Sequence, residues 1–171
     1  MTNPPEFCIY TDGGCSGNPG PGGWAYIIIT NEESEIREGG RAEPVSVAEK
    51  WGAEKSTTNN RMELSAVIAA LEYLQEALPQ YLPSIQPGPE KITVYTDSQY
   101  VQKGMTFWIK NWKSKGWKTS GKDPVKNQDL WQRLDSLAAG LSINWVWVKG
   151  HAGNRYNERC DFLTQKAIAS I

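Results

Sequence analysis

The sequence predicts an α/β fold: one mixed five-stranded sheet, an antiparallel meander continued by parallel strands, with helices on both faces. Three observations carry this. Two apolar, β-branched and aromatic runs open the chain around a glycine-rich turn, and a third candidate strand follows them. A long leucine-striped helix comes next. After it, strands and helices alternate, so the order is three strands, helix, strand, helices, strand, helix. The early strands can pair as hairpins. Each later strand is preceded by a helix and joins in parallel through a right-handed crossover.

Phe7 to Asp12 reads as the first strand, and Gly13 to Gly23 as its turn. Trp24 to Thr30 is the second strand, rich in Ile and aromatics. Ser34 to Arg41 is expected as the third, antiparallel to it across residues 31–33, and residues 42–57 as a loop. Thr57, Thr58, Asn59 and Asn60 offer helix N-caps. Leu64, Val67, Ile68, Leu71, Leu74 and Leu78 then fall on one helical face, and Pro79 is expected to end the helix. Residues 79–90, with four prolines, read as a surface loop. Lys91 to Thr96 alternates as a strand ending at Asp97, and Ser98 can cap a short helix to about Lys103. A second short helix is expected over Trp108 to Trp112. Asn127 to Ala139 is helical, with Leu130, Leu134 and Leu137 along one side. Ile143 to Val148 is the last strand and Tyr156 to about Ser170 the last helix.

At 171 residues the chain fits one domain, 1–171. No run of about 18 apolar residues predicts a membrane span. Residues 1–6 lack a basic-then-apolar leader, so a cytoplasmic location is expected. Cys8, Cys15 and Cys160 are odd in number and irregularly spaced, and only one His exists. Free thiols in a reducing compartment fit better than a zinc site. Net charge is −1, but from Lys103 to Lys126 seven lysines stand against one acid, Asp123. That segment carries +6 and leaves −7 for the rest: a basic protrusion, at about 103–126, on an acidic body.

Four acids stand where a sheet protein places a site. Asp12 and Asp97 each end a strand, and ligands in open α/β sheets bind outside the carboxyl ends of strands. Glu63 lies in the first turn of the long helix, one position off its leucine stripe. Asp161 lies about one turn into the last helix. Carboxylate oxygens are hard donors suited to Mg²⁺ or Mn²⁺. Four together repel one another unless cations intervene. Two divalent ions also stabilise the attacking and leaving oxygens of a phosphodiester displacement. An Asp at a strand end is ordinarily a turn residue or cap, and a Glu near a helix start ordinarily complements the dipole. Spacing alone therefore leaves both readings open.

Four motifs decide between them. Thr11-Asp12-Gly13-Gly14-Cys15-Ser16-Gly17-Asn18-Pro19-Gly20-Pro21-Gly22-Gly23-Trp24 resembles the opening motif of the bacterial type 1 ribonuclease H family. Thr58 to Leu64 resembles its second motif and Tyr95 to Val101 its third. Trp147 to Gly153, followed by Asn157 to Asp161, resembles its last. The match runs in order from about residue 7 to 168. The resemblance implies a ribonuclease H-like fold, cleavage of the RNA strand of an RNA–DNA hybrid, and an Asp–Glu–Asp–Asp metal site at Asp12, Glu63, Asp97 and Asp161. It implies two Mg²⁺ ions in catalysis, with Mn²⁺ as a substitute, and 3′-hydroxyl and 5′-phosphate ends. It also implies a monomer that removes RNA primers and hybrids in replication and repair.

His151, the only histidine, sits between Gly150 and Ala152-Gly153. A mobile loop there suits a proton shuttle near neutral pH, and the resemblance assigns His151 to a flexible catalytic loop, outside the metal ligands. Trp108, Trp112 and Trp117 interleave with Lys110, Lys113, Lys115 and Lys118. Tryptophans can pack such a hairpin while lysines are solvated. The functional reading is a handle whose lysines meet phosphates and whose exposed aromatic meets a sugar or base. The resemblance places the DNA strand on this handle, a DNA phosphate at Asn111 and Thr58, and the minor groove along Asn18, Asn59, Asn60 and Gln99. Amides there can meet 2′-hydroxyls without reading sequence.

Residues 42–56 and 79–90 are longer than the family's pattern, and Phe162-Leu163-Thr164 is a less usual sequel to Asp161. Two rivals are weaker. DNA strand transferases of related fold generally use three acids and carry extra DNA-binding domains. A catalytically dead hybrid-binding module would have lost some of the four acids, and all are present.

Overall fold

The computed structural model describes residues 6–30, 45–81 and 91–171. Its strands are β1 (Glu6–Cys15), β2 (Gly20–Thr30), β3 (Val45–Thr57), β4 (Lys91–Thr96) and β5 (Ile143–Trp147). They form one five-stranded sheet in the order β3-β2-β1-β4-β5. The pairs β1–β2 and β2–β3 are antiparallel, and β1–β4 and β4–β5 are parallel. This is the mixed sheet expected. The helices are α1 (Asn59–Tyr81), α2 (Gln99–Lys103), α3 (Ile109–Ser114), α4 (Gln128–Ala138) and α5 (Arg155–Ala169). A π turn, Gly104–Trp108, joins α2 to α3 without a break.

Successive side chains of a strand point to opposite faces, and this sorts the core into two clusters. On one face Phe7, Ile9, Tyr26 and Ile28 meet Leu64, Val67, Leu71 and Leu74 of α1, with Trp131, Leu134 and Leu137 of α4 beyond. On the other face Ala25, Ile27 and Ile29 meet Cys160 and Leu163 of α5. Each such buried Leu or Ile contributes about 1.5–3 kcal/mol, so α1 and α5 are clamped to opposite sides of the same two strands.

Four expectations need correction. The third strand lies at 45–57, inside the stretch read as a loop, while Ser34–Arg41 falls outside the described residues. β3 pairs on one side only, and Glu49, Lys50, Trp51, Glu54 and Lys55 are exposed. A charged edge strand loses apolar alternation, and two register shifts against β2 break the period further. The glycine-rich turn is shorter than read, because β1 continues to Cys15 and β2 begins at Gly20. The glycines serve close packing instead. A Cβ at Gly13 would sit 2.3 Å from the Met62 carbonyl carbon, and one at Gly23 would sit 2.9 Å from Ala167 Cβ. So α1 and α5 press on the sheet where side chains are missing.

The helix α1 runs two residues past Pro79, to Tyr81. A proline in the last turn removes one late i→i−4 bond and does not interrupt the packed face. Residues 82–90 of the proline-rich stretch lie outside the described residues. Finally, the short helix expected at 108–112 is the end of a longer rod over 99–114, and the buried centre of α4 is Trp131, with Leu130 only half-buried. The Trp131 ring lies where a Cβ at Gly104 would be, 2.0 Å from its Cη2.

Candidate active site

The last residue pair of the β1–β4 ladder is Thr11 with Thr96. Asp12 and Asp97 are the next residues on the two neighbouring strands, about 4.8 Å apart; β4 ends before Asp97 as expected, whereas Asp12 does not end its strand but stays paired with Ala25 of β2. The contact of Gly13 with the backbone of Met62 and Glu63 sets α1 against β1 immediately beside Asp12. Glu63 is thereby carried to the same edge, in the second turn of α1. From the other face, Cys160 Sγ donates to the Tyr10 carbonyl at 3.3 Å, which fixes α5 two residues before Asp12 and brings Asp161 alongside. The four acids are half-buried. Two concavities, of about 300 Å³ between α1 and α4 and about 510 Å³ beside the start of α5, lie elsewhere. A rod-shaped polymer needs an open edge, not an enclosed pocket.

Burial and mutual repulsion govern these acids. Burial pushes the Asp12 carboxyl up to about 7, and the charges of Asp97, Asp161 and Glu63 push the same way. The Thr164 hydroxyl opposes them from outside full hydrogen-bonding geometry, since its Oγ1 has no bonded partner. Glu63 is raised by burial and by Asp97, against a hydrogen bond from Ser98. Asp97 is raised by burial and by Asp161, while its own backbone N–H, His151 and Asn157 favour its charged form. The acids thus sense one another across the edge. Among the described residues no three Asp, Glu, His or Cys side chains are already drawn into a ligating set. The donor chemistry nonetheless fits a hard divalent cation: oxygen donors only, with negative charge in excess.

The other expected residues fall into three places. Asn18, Asn59 and Thr58 cluster where the β1–β2 turn meets the start of α1. The Cys15 backbone N–H donates to Asn59 Oδ1 at 2.8 Å, and the Asn59 N–H donates to Asn18 Oδ1 at 3.2 Å. Both amides spend their oxygens on the protein and keep their NH₂ groups available. Thr58 Oγ1 accepts from the Arg61 N–H at 3.3 Å as the helix cap, and Asn60 is exposed beside it. His151 lies on the exposed β5–α5 loop at φ 56°. That loop passes close enough that a side-chain carbon at Gly150 would sit 3.1 Å from Asp97 Oδ2.

The third place is the handle. Trp108, Trp112 and Trp117 form a ladder of ring contacts at 5.9 and 6.3 Å, joined to Tyr100 and Trp131. Trp112 and Trp117 are half-buried, whereas Trp108 keeps 37 % of its surface. Lys113 pairs with Asp135 at 3.2 Å. Lys115, Lys118, Gln99 and Asn111 are exposed.

Several supporting residues escape sequence reasoning. Ser98 Oγ donates to Glu63 Oε2 at 2.6 Å while accepting from the Val101 N–H at 3.1 Å. One hydroxyl both caps α2 and orients an acid from another helix. Trp147 Nε1 donates to the Asp97 carbonyl at 3.0 Å. Asn157 lies one helical turn before Asp161, on the same face of α5; that spacing was the available signal.

With this geometry established, the comparisons are specific. A family model described as RNase H matches residues 4–169. The chain is 52 % identical over 165 residues to a ribonuclease H of Treponema denticola, covering 95 % of this chain and 97 % of that one. It is 48 % identical to a ribonuclease H of Chromobacterium violaceum over the full length of both. Among solved structures it is similar to LC9-RNase H1, a type 1 RNase H with the type 2 active-site motif, at a TM-score of 0.77 and 31 % identity. That likeness covers 99 % of this chain and 75 % of the other. A sheet that sets two aspartates side by side, and relatives matched along nearly the whole chain, place it plainly: the chain belongs to the RNase H family.

Proposed function

We propose that this chain hydrolyses the RNA strand of RNA–DNA hybrids in a divalent-metal-dependent reaction that leaves 3′-hydroxyl and 5′-phosphate ends. Its role would be removal of RNA primers and hybrids during DNA replication and repair. The observation that carries this reading is the pairing of Thr11 with Thr96, which delivers Asp12 and Asp97 to one open edge beside Glu63 and Asp161. Family membership supports it. Two Mg²⁺ ions, or Mn²⁺ in their place, held by these four carboxylates would neutralise the charge that develops on the attacking and leaving oxygens.

The remaining steps belong to the protein. Ser98 orients Glu63 through its hydrogen bond, and the Trp147–Asp97 bond ties down the strand end. His151, exposed on its loop beside Asp97, assists proton transfer or product departure. The free NH₂ groups of Asn18 and Asn59, with Asn60 and Gln99, meet 2′-hydroxyls in the minor groove. Thr58 and Asn111 hold phosphates of the DNA strand. The handle lysines Lys113, Lys115 and Lys118 add phosphate affinity, and Trp108, with Trp112 and Trp117 in tilted ring contact behind it, meets the substrate. Among the described residues no helix is long and apolar enough to cross a membrane.

The test is cleavage of a labelled RNA–DNA hybrid beside single-stranded RNA, double-stranded RNA and double-stranded DNA, with and without Mg²⁺. Cleavage of the hybrid's RNA strand alone, and only with the metal, is expected. Cutting of the DNA strand, or activity in chelator, would overturn the reading.

A further inference from the structure

The most exposed large apolar side chain on the handle is Phe107, with 69 % of its surface open. Unlike its neighbour Trp108, it enters no ring contact among the described residues. It does not complete the core: the buried residues around it are Gly104 and Ile109. A single exposed apolar side chain is ordinary on a protein surface, so it is the company Phe107 keeps that carries meaning.

Its neighbours indicate what covers it. Gln99, Lys103, Phe107 and Asn111 are all exposed and follow one another four residues apart along the unbroken rod. In a pure α-helix, positions four apart drift around the axis. The π turn at Gly104–Trp108 closes i to i+5 and takes more residues per turn, which offsets that drift and keeps the four side chains in one row. Lys103 Nζ donates to Gln99 Oε1 at 3.3 Å, in agreement with this alignment. The row rises about 18 Å, or roughly five base steps of one strand. Lys110 is exposed one turn beyond Phe107.

We infer that Phe107 is a substrate-contacting residue, its ring packing on a deoxyribose of the uncleaved DNA strand between phosphates met by Lys103 and Lys110. The contact rests on the hybrid-cleavage reading above. It supplies affinity and register, not chemistry. A sugar is the same at every step and the ring adds no charge, so the contact complements the lysines without duplicating them. The π turn acquires a purpose: Gly104 lets Trp131 close against the rod, and the widened turn holds Phe107 outward.

The experiment compares wild type, Phe107→Ala, Phe107→Leu and Phe107→Trp on a labelled hybrid, measuring kcat and KM across a salt series. For a ring covered on one side by a sugar, Phe107→Ala should raise KM by about 3- to 10-fold. Its kcat and its slope of log KM against log salt should match wild type, because no phosphate contact is lost. Phe107→Trp should restore KM and Phe107→Leu should not. The side chain is exposed, so circular dichroism should show all four folded alike. If wild type cleaves the hybrid and Phe107→Ala keeps its KM, this inference falls and the hybrid reading stands. Full affinity in Phe107→Leu also overturns it, since an apolar contact would then suffice without a ring. If wild type cleaves no hybrid, it is the hybrid reading that fails.

Discussion

Replacing Asp12 by Asn separates what the carboxylate costs the fold from what it does in the reaction. In the folded chain, burial and three neighbouring acids hold this group at about 7, against an ordinary value of 3.8. Between those two pH values the native state binds a proton that the unfolded state releases. The contribution of Asp12 to wild-type stability therefore falls as pH rises from about 4 through about 7, and levels off above. At ~1.36 kcal/mol per pH unit the full span is worth about 4 kcal/mol. Asparagine keeps the size and removes the charge, but its amide must be satisfied in a place shaped for a carboxylate, at a cost of about 1–3 kcal/mol. Asp12→Asn should thus be more stable than wild type at pH 8 by about 1–3 kcal/mol, while losing nearly all cleavage. The assay is urea unfolding followed by circular dichroism from pH 4 to 8, in chelator. The gain should be absent near pH 4 and grow until about pH 7. Adding Mg²⁺ should stabilise wild type more than the variant, because a ligand of the native state adds to its stability. A pH-independent difference would refute the electrostatic account of this site. Undiminished cleavage by the folded variant would refute the four-acid assignment.

Three further outcomes are expected. Changing Lys113, Lys115 and Lys118 together to Ala should raise KM and flatten its salt dependence, because fewer counterions are released on binding; equal slopes for variant and wild type would remove these lysines from the phosphates. His151→Ala should lower kcat by roughly 10²-fold, the low end for a proton donor or acceptor, with Mg²⁺ affinity unchanged by titration; unchanged kcat would exclude it from the reaction, and lost metal affinity would make it a ligand. Gly13→Ala places a carbon 2.3 Å from the backbone of α1 and should cost about 1–3 kcal/mol or more by overpacking, visible as a lower Tm together with weaker cleavage as Glu63 is displaced; a Tm equal to wild type would show that the helix–strand contact can yield.

By itself the sequence determined the elements whose signal is local. Alternation in Lys91–Thr96, the apolar run from Phe7 to Thr11, the leucine stripe from Leu64 to Leu74, and the cap at Ser98 each follow from neighbours a few residues apart. The order of these elements sufficed for a mixed sheet with helices on both faces, and family-like motifs singled out the four acids. Tertiary structure decided whatever depended on a distant partner. β3 is a strand because β2 offers it a ladder, although Lys50, Glu54 and Lys55 face water and spoil its pattern. The glycines at 13 and 23 read as turn residues from sequence, but they are sites where α1 and α5 approach the sheet. Tyr100, Trp108, Trp112, Trp117 and Trp131 were separate aromatics in the chain and became one connected ladder of tilted and edge-on rings. That packing left Phe107 outside, and no local pattern distinguished it from the others. Above all, the coupling that lifts Asp12 arises from charges 51, 85 and 149 residues away along the chain. Electrostatic repulsion and desolvation act through space, so only the folded sheet, with its parallel β1–β4 register, could set their strength.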